Sequence, residues 1–551
     1  MRRITAACIY NLSCFCHGCS TGWVSGVFGQ DALTGGSWLA ALPCLVALPA
    51  APIFAVLADA RGRKVGSIFV SICFIACWTL AAWGGQRGIW ASRVAAGVGG
   101  AGALTLAPIY CTEIAPETRG LAALPSFAIS CGILFSFLAG GMMSARSLSL
   151  IMLIAPVVLL IANIWLPETP SYLISVGKMQ DAAKIICWFD GSNFREDVTD
   201  VIEQQEVRIR TSECYTRRDT HRRDSDTFQP MLQRNNGVEA NTAKKTQRDA
   251  YKELLCGKRG IRAISSFAML AAASVSSGSG VVGSFAVAVL RYSARPLPHL
   301  NITVYNSYIN DGTNARSIDE ASVTAEVGAI VCAVALFIGG AVAVLTVDRI
   351  GRKILIFSSC SGIAFLLAVL GAYCDPSLRA MNWNPTGVKH VKTATDIRIE
   401  KLFENITLTL SRNETSMERF NMFKDDAGMD DGTLRAPIVL LSIVMFLYNI
   451  GLGSVPYVLI SEMFSVNVRG LAASVAAAWW WLAHFVVLRY VGTVASAMGM
   501  HTIYYIGSAL SVVAALYTLL LLPETKGKSR EQIDEVLDGP LVVLKTTKDG
   551  Q

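Results

Sequence analysis

The sequence predicts an all-α membrane protein with twelve transmembrane helices in two pseudo-symmetric six-helix bundles. Only 16% of its 551 residues are charged and 52% are hydrophobic, whereas soluble domains have about 25% and 45–50%. Apolar stretches of about 20 residues, the length of a helix that spans a bilayer, recur along the chain. Short charged phrases recur between them in the same order in both halves. Composition and repetition together indicate a duplicated membrane unit.

Twelve apolar segments are the candidates for these helices. They are residues 4–27, 37–57, 65–85, 89–110, 121–142, 148–166, 261–290, 321–347, 354–374, 437–460, 470–495 and 501–522. The first follows Met1-Arg2-Arg3 and has a cleaved signal peptide as its alternative interpretation, but it lacks a clear cleavage site. The predicted units are therefore an N-terminal bundle (1–166), a linker (167–260), a C-terminal bundle (261–522) and a tail (523–551).

Two polar segments interrupt the apolar pattern. The linker is too charged to enter a bilayer, and residues 190–250 within it are poor in apolar side chains, which predicts disorder over much of that stretch. The loop 375–436 is long enough to need either a small fold of its own or disorder.

The basic residues predict the orientation of the helices. Under the twelve-span count, three clusters of Lys and Arg lie on the same side of the membrane: Arg61, Arg63 and Lys64; Arg349, Arg352 and Lys353; Lys526, Lys528 and Arg530. Such residues accumulate in cytoplasmic loops. We therefore expect both termini to be cytoplasmic, in a multi-pass protein of the plasma membrane.

Glycosylation sequons agree with this orientation. Asn301, Asn405 and Asn413 each begin an Asn-x-Thr sequence in a loop that the count places outside. These three residues are the predicted glycosylation sites. A fourth sequon at Asn11 lies within the first span and should be silent.

Cysteines and catalytic motifs point to no cofactor. Four of the 15 cysteines, Cys8, Cys14, Cys16 and Cys19, cluster near the N-terminus, but their surroundings do not complete a zinc spacing pattern. Buried thiols are the default interpretation. The chain has no catalytic constellation and no phosphate-binding loop with its lysine. We expect neither an enzyme nor a carrier driven directly by ATP, and no metal site.

The repeated phrases carry a family resemblance. The first set comprises Asp59-Ala60-Arg61-Gly62-Arg63-Lys64, Glu113 to Gly120 and Pro167-Glu168-Thr169-Pro170, with Arg93 and Gly97 in span four. The second comprises Asp348-Arg349-Ile350-Gly351-Arg352-Lys353, Glu462 to Gly470 and Pro523-Glu524-Thr525-Lys526. In this order they resemble the sugar porter family of the major facilitator superfamily, in particular its insect trehalose and glucose facilitators. The resemblance implies the major facilitator fold.

It also implies a gating role for the charged residues. In the family, ion pairs at the inner helix ends latch the two bundles together and break when the carrier opens inward. The matching residues are Asp59, Arg63, Arg93, Glu113, Arg119, Glu168, Asp348, Arg352, Glu462, Arg469 and Glu524. The alternative is that these charges only set the topology. Two departures weaken the first-half latch: the Glu113–Arg119 interval is one residue shorter than its counterpart, and Ser171 replaces the usual arginine.

The substrate pathway matches the family less well. A sugar needs carboxamides for its hydroxyls and aromatic faces for its ring, and the family supplies them from spans five, seven, ten and eleven. The residues that match those positions are Ser126, Ser274, Ser277, Gly280, Tyr457 and Trp481. Aromatic residues and helix breakers survive, whereas the long carboxamides of span seven are lost. Either the substrate differs, or it binds weakly, or transport has been lost.

Span one bears on energy coupling. Proton-coupled relatives carry an Asp there that faces the Arg of span four, and Val24 occupies that position here. By this resemblance the missing acid favours facilitated diffusion over symport. His484 has two interpretations, a titrating group and a packed hydrogen-bonding residue.

Three functions follow from the sequence. The leading hypothesis is a facilitative (uniport) transporter of a sugar such as glucose or trehalose, working by alternating access. The alternatives are a diverged carrier of another small neutral or anionic solute, and a non-transporting nutrient sensor that signals through its linker or tail. The expected partners are a sugar or polyol and the lipid bilayer, with no nucleic acid.

Overall fold

A computed structural model describes residues 2–28, 36–115, 119–190, 257–294, 315–375, 378, 432–464, 466–528 and 532–533. These residues form helices and connecting turns, without strands. The first-half helices are α1 Arg2–Phe28, α2 Ser37–Arg61, α3 Arg63–Trp83, α4 Gly85–Ile114, α5 Leu124–Gly140, α6 Ala145–Met152, α7 Ile154–Ala162, α8 Pro170–Ser175 and α9 Met179–Asp190, with a 3₁₀ turn at Arg119–Ala123 before α5. The second-half helices are α10 Lys258–Ser276, α11 Ser279–Ala294, α12 Ala315–Ile350, α13 Arg352–Cys374, α14 Gly432–Ile450, α15 Val455–Met463, α16 Val466–Met498 and α17 Met500–Leu520.

The described helices reproduce the predicted succession of spans, with one difference. Eleven segments are long and apolar enough to cross a membrane, and α1 is not among them. Polar side chains of α1 such as Asn11, His17 and Ser20 are buried within the protein, so they lower the hydropathy of this 27-residue helix without facing lipid. The first predicted span is therefore a helix of the first bundle that hydropathy alone does not identify.

The two halves form two bundles that meet along equivalent helices. In the first bundle α1 packs against α5 and α2 against α4, and in the second α12 packs against α14 and α13 against α17. Between bundles, α2 faces α16, α5 faces α12, and α1 faces α11. In the sequence repeat α2 corresponds to α12 and α5 to α16, so the α2–α16 contact and the α5–α12 contact are equivalent. The interface thus has the symmetry of the sequence repeat.

Glycines allow α1 and α5 to approach each other closely. A Cβ atom at Gly18 would lie 2.1 Å from the carbonyl oxygen of Ile129, and one at Gly132 would lie 2.2 Å from that of Phe15. Small residues commonly permit such backbone contact between membrane helices. This packing fixes the position of α1 beside the bundle interface.

Two helices of the second bundle are broken at the middle. The break between α10 and α11 contains Gly278, whose φ of +79° is readily adopted by glycine. The break between α14 and α15 precedes Pro456, the second residue of α15. Broken helices in transporters expose backbone groups at the substrate site, and residues at both breaks border the cavity described below.

The outer surface is apolar, as a lipid-facing surface must be. Large side chains exposed by more than 60% include Ile154, Ile164, Trp165, Leu345 and Phe365. Exposed apolar area of this extent marks a membrane or protein interface. The predicted disordered stretch and most of the loop 375–436 lie outside the described residues.

Candidate functional site

A cavity of about 90 Å³ lies between the two bundles. Helices α1, α2, α4 and α5 contribute to it from the first half, and α11, α12, α14, α15 and α16 from the second. At about 10–15 Å³ per water it has room for roughly six to nine waters, which would displace about 180–270 Å³ of liquid. This is the scale of one sugar ring.

Four of the six predicted pathway residues line this cavity. Ser126, Gly280, Tyr457 and Trp481 do so, and Ser274 and Ser277 do not. The Ser274 hydroxyl lies 3.1 Å from the hydroxyl of Tyr448, a lining residue, and Ser277 donates to the Ser274 carbonyl at 2.6 Å. The two serines therefore form hydrogen bonds at the helix break and to Tyr448 without lining the cavity themselves.

A carboxamide that the sequence analysis missed reaches the cavity from α14. Asn449 Nδ2 donates to the carbonyl of Leu336 at 2.8 Å, and its Oδ1 accepts from Ser126 Oγ at 2.5 Å. The second bond crosses from one bundle to the other. The position of Asn449 just before the break at residues 451–454 was the available signal, since broken helices frame such sites.

Two histidines and two tryptophans form an aromatic group on one side of the cavity. Trp481 is 1% exposed, and its ring meets the ring of His17 edge-on across the bundle interface, with centroids 5.3 Å apart. Trp480 packs on His484, with centroids 3.7 Å apart. Gly100 leaves the space for the first pair, because a Cβ atom there would lie 2.9 Å from His17 Nδ1 and 3.3 Å from Trp481.

Arg93 is a fully buried cation at the cavity wall. Its Nη1 donates to the carbonyl of Ser20 at 3.0 Å, and its guanidinium carbon lies 4.6 Å from the ring centroid of Trp23. Its Nη2 lies 3.8 Å from the sulfur of Cys77, and its Nε has no partner. Among the described lining residues there is no Asp or Glu, and Val24 lines the cavity on α1.

The repeated charged phrases form the same cluster in each half. Arg63 lies 2.8 Å from Glu113 and 3.5 Å from Asp59. Correspondingly, Arg352 lies 2.8 Å from Glu462 and 3.0 Å from Asp348. We call these the first and second charge clusters.

A third carboxylate in each half binds the N-terminus of α3 or of α13. Glu168 accepts from the backbone N–H groups of Arg63 at 2.9 Å and Lys64 at 3.1 Å, and Glu524 accepts equivalently from Arg352 and Lys353 at 3.1 Å. An anion at a helix N-terminus is stabilised by the helix dipole. Burial raises the pKa of the Glu168 carboxyl, while these N–H donors oppose the rise.

These ion pairs join helices of the same bundle, which differs from the latch expected between bundles. One bond between described residues that crosses the interface at this end runs from the Gly120 N–H to Asp348 Oδ2, at 2.8 Å. The side chains of Arg119 and Arg469, the remaining gating candidates, lie outside the described part of the chain. So do the predicted glycosylation sites Asn301, Asn405 and Asn413.

The bond between Ser126 and Asn449 yields a first prediction. Ser126→Ala should lower the free energy of unfolding by about 1–3 kcal/mol, because Asn449 Oδ1 would lose its donor in a buried site. Thermal unfolding of the purified protein in detergent measures this. Ser130→Ala is the matched control, since the Ser130 hydroxyl lines the same cavity but bonds within its own turn, to Phe127. Equal unfolding temperatures for the two variants would contradict the prediction.

The chain resembles known transporters in both sequence and structure. The family model described as "Sugar (and other) transporter" matches residues 17–232 and 424–537. The facilitated trehalose transporter Tret1 of Bombyx mori is 24% identical over 502 residues, covering 90% of this chain and 78% of its own length. The facilitated glucose transporter member 8 of solute carrier family 2 from Bos taurus is 24% identical over 512 residues, covering 91% of this chain and 85% of its own.

Solved structures share the fold. The proton:xylose symporter XylE bound to 6-bromo-6-deoxy-D-glucose superimposes with a TM-score of 0.62 at 17% identity, covering 97% of this chain and 99% of that one. XylE from E. coli in a partially occluded inward-open conformation gives a TM-score of 0.60 at the same identity, covering 96% and 99%.

Proposed function

We propose that this chain, which belongs to the family of sugar and other transporters and has the major facilitator fold, carries a sugar of monosaccharide size, such as glucose, by facilitated diffusion. The observation that carries the proposal is the cavity between two repeat-related bundles, lined by side chains from both. Rocking of one bundle against the other would open such a cavity to each side of the membrane in turn. The names of the facilitated relatives support the same activity.

The surroundings of Arg93 support transport without protons. A symporter needs a group at the cavity that takes up and releases a proton during each cycle. Val24 stands where the resemblance expects the acid, and Arg93 is held by Ser20 and Trp23 instead. The described lining offers no carboxyl group for coupling. Of the two histidines in it, His17 packs on Trp481, and His484 packs on Trp480 with its Nδ1 3.0 Å from the Trp480 carbonyl oxygen, which supports a packing role for them.

The two charge clusters have a role in gating under this proposal. Because each cluster ties helices of one bundle together, it makes that bundle move as a rigid body. The bond from Gly120 to Asp348 then joins the bundles at the end that the basic residues assign to the cytoplasm. A single bond of this kind is worth about 1.5–3 kcal/mol when one partner is charged, which suits an equilibrium between states a few kcal/mol apart.

Uptake by purified protein in liposomes tests the activity. We expect saturable uptake and exchange of radiolabelled glucose, with the same initial rate whether or not a pH gradient is imposed. Liposomes without protein, and a protonophore added to the gradient, are the controls. Accumulation of glucose above its external concentration under a pH gradient would reject the uniport. Failure to move any sugar would reject sugar transport and leave the carrier of another small solute and the nutrient sensor as the alternatives.

A further inference from the structure

We infer that the cavity is built for a sugar that carries a carboxylate, a monosaccharide acid, whose acid group binds at Arg93. This inference rests on the proposed function and specifies its substrate class. The first observation is charge. Arg93 is 0% exposed and lines the cavity, and the described lining contains no Asp or Glu to balance it. A charge buried in a membrane protein is costly and is usually paired. A ligand carboxylate supplies the missing charge.

The second observation concerns the unpaired polar atoms at the cavity. Among the described lining residues, the buried side-chain atoms without a hydrogen-bond partner are Arg93 Nε and Trp481 Nε1. Both are N–H donors. The carboxamide oxygen of Asn449, which a sugar hydroxyl could otherwise use as acceptor, is already bonded to Ser126. Two N–H donors without a partner suit a carboxylate, which only accepts, better than a hydroxyl, which must also donate.

The remaining wall suits a sugar ring. Ser20, Ser130 and Tyr448 line the same cavity as Trp480 and Trp481, which gives hydrogen-bonding residues beside flat apolar surface. The cavity volume fits one ring rather than two. The lining therefore offers a partner for one acid group next to a surface for one sugar ring.

The pair D-glucuronate and D-glucose tests the inference, because the two sugars differ only at C6, which is a carboxylate in glucuronate and a hydroxymethyl group in glucose. Binding of each to the purified full-length protein is measured by calorimetry, with acetate and chloride as anions that lack the ring. We expect glucuronate to bind at least about tenfold more tightly than glucose, and the two bare anions to bind more weakly than glucuronate. In liposomes, an inside-negative voltage should slow glucuronate uptake and leave glucose uptake unchanged, because only glucuronate carries charge.

Three variants and one control assign the effect to Arg93. Arg93→Gln should remove the preference for glucuronate, Arg93→Lys should retain part of it, and Val24→Asp should reverse it by placing an acid beside Arg93. Arg489→Gln is the control, since Arg489 stacks on Trp38 and does not line the cavity. Size-exclusion chromatography checks the folding of each variant. If replacing Arg93 prevents folding, Val24→Asp still tests the inference, because it keeps Arg93 in place.

Several results would overturn the inference. Glucose binding as tightly as glucuronate would do so while leaving the proposed sugar transport intact. A preference for glucuronate that survives in Arg93→Gln and in Val24→Asp would also overturn it. Acetate or chloride binding as tightly as glucuronate would reduce the site to a bare anion site. Absence of binding and exchange for both sugars would reject the proposed function and the inference together.

Discussion

Arg63→Met should lower the free energy of unfolding by about 3–5 kcal/mol, because it leaves the carboxylate of Glu113 buried without its counter-ion. The two side chains are 10% and 3% exposed, and their atoms lie 2.8 Å apart. The substitution also removes the bond from Arg63 Nη1 to the carbonyl of Ala58, which is 2.9 Å long. Thermal and denaturant-induced unfolding in detergent measures the loss.

Two further variants decide whether the charge pair causes this loss. Arg61→Met is the matched control, because Arg61 is exposed two residues earlier in the same turn, and we expect a change within about 0.5 kcal/mol. Combining Arg63→Met with Glu113→Gln should recover part of the stability, since the stranded charge is gone. If Arg61→Met were as destabilising as Arg63→Met, the ion pair would not be the cause.

Trp481→Ala should reduce the transport rate at low substrate concentration at least tenfold, which corresponds to about 1.4 kcal/mol. The substitution removes the ring that forms the cavity wall and meets His17 across the bundle interface. Truncating a buried Trp also costs about 3–5 kcal/mol of stability, so uptake is normalised to the amount of folded protein. Initial uptake of radiolabelled substrate into liposomes measures the effect.

The neighbouring tryptophan gives the control for this experiment. Trp479 lies on the same helix and is 46% exposed, and it does not line the cavity. We expect Trp479→Ala to transport at the wild-type rate. Trp481→Phe separates the ring from its N–H group, and we expect a transport rate between those of wild type and Trp481→Ala. Normal transport by Trp481→Ala would remove Trp481 from the substrate pathway.

The charge clusters follow the sequence repeat, whereas the lining of the cavity does not. Arg63 with Glu113 and Arg352 with Glu462 have the same 2.8 Å contact in both halves. At the cavity the halves contribute different chemistry, with Arg93 and His17 from the first and Asn449 and Trp481 from the second. A symmetric frame therefore holds an asymmetric binding site, and this is why a shared fold alone does not identify the substrate.

The sequence by itself determined the architecture. Segment length and apolarity are local properties, so they predicted the helices, and the repeated phrases predicted the two-bundle fold that the comparisons share. The one span that hydropathy does not support, α1, is polar because its side chains face inward. That distinction depends on what surrounds the helix, which local composition does not record.

Only the tertiary structure decided which side chains meet. The sequence placed Ser274 and Ser277 on the substrate pathway, but neither lines the cavity: the Ser274 hydroxyl bonds to that of Tyr448, and Ser277 donates to the Ser274 carbonyl. Asn449 reaches the cavity because α14 packs against α12 beside α5. Each contact joins residues far apart in the chain, and it depends on the rotation of each helix about its axis. Neighbouring helices fix that rotation, so the sequence predicted the carrier fold and the structure identified the chemistry of its cavity.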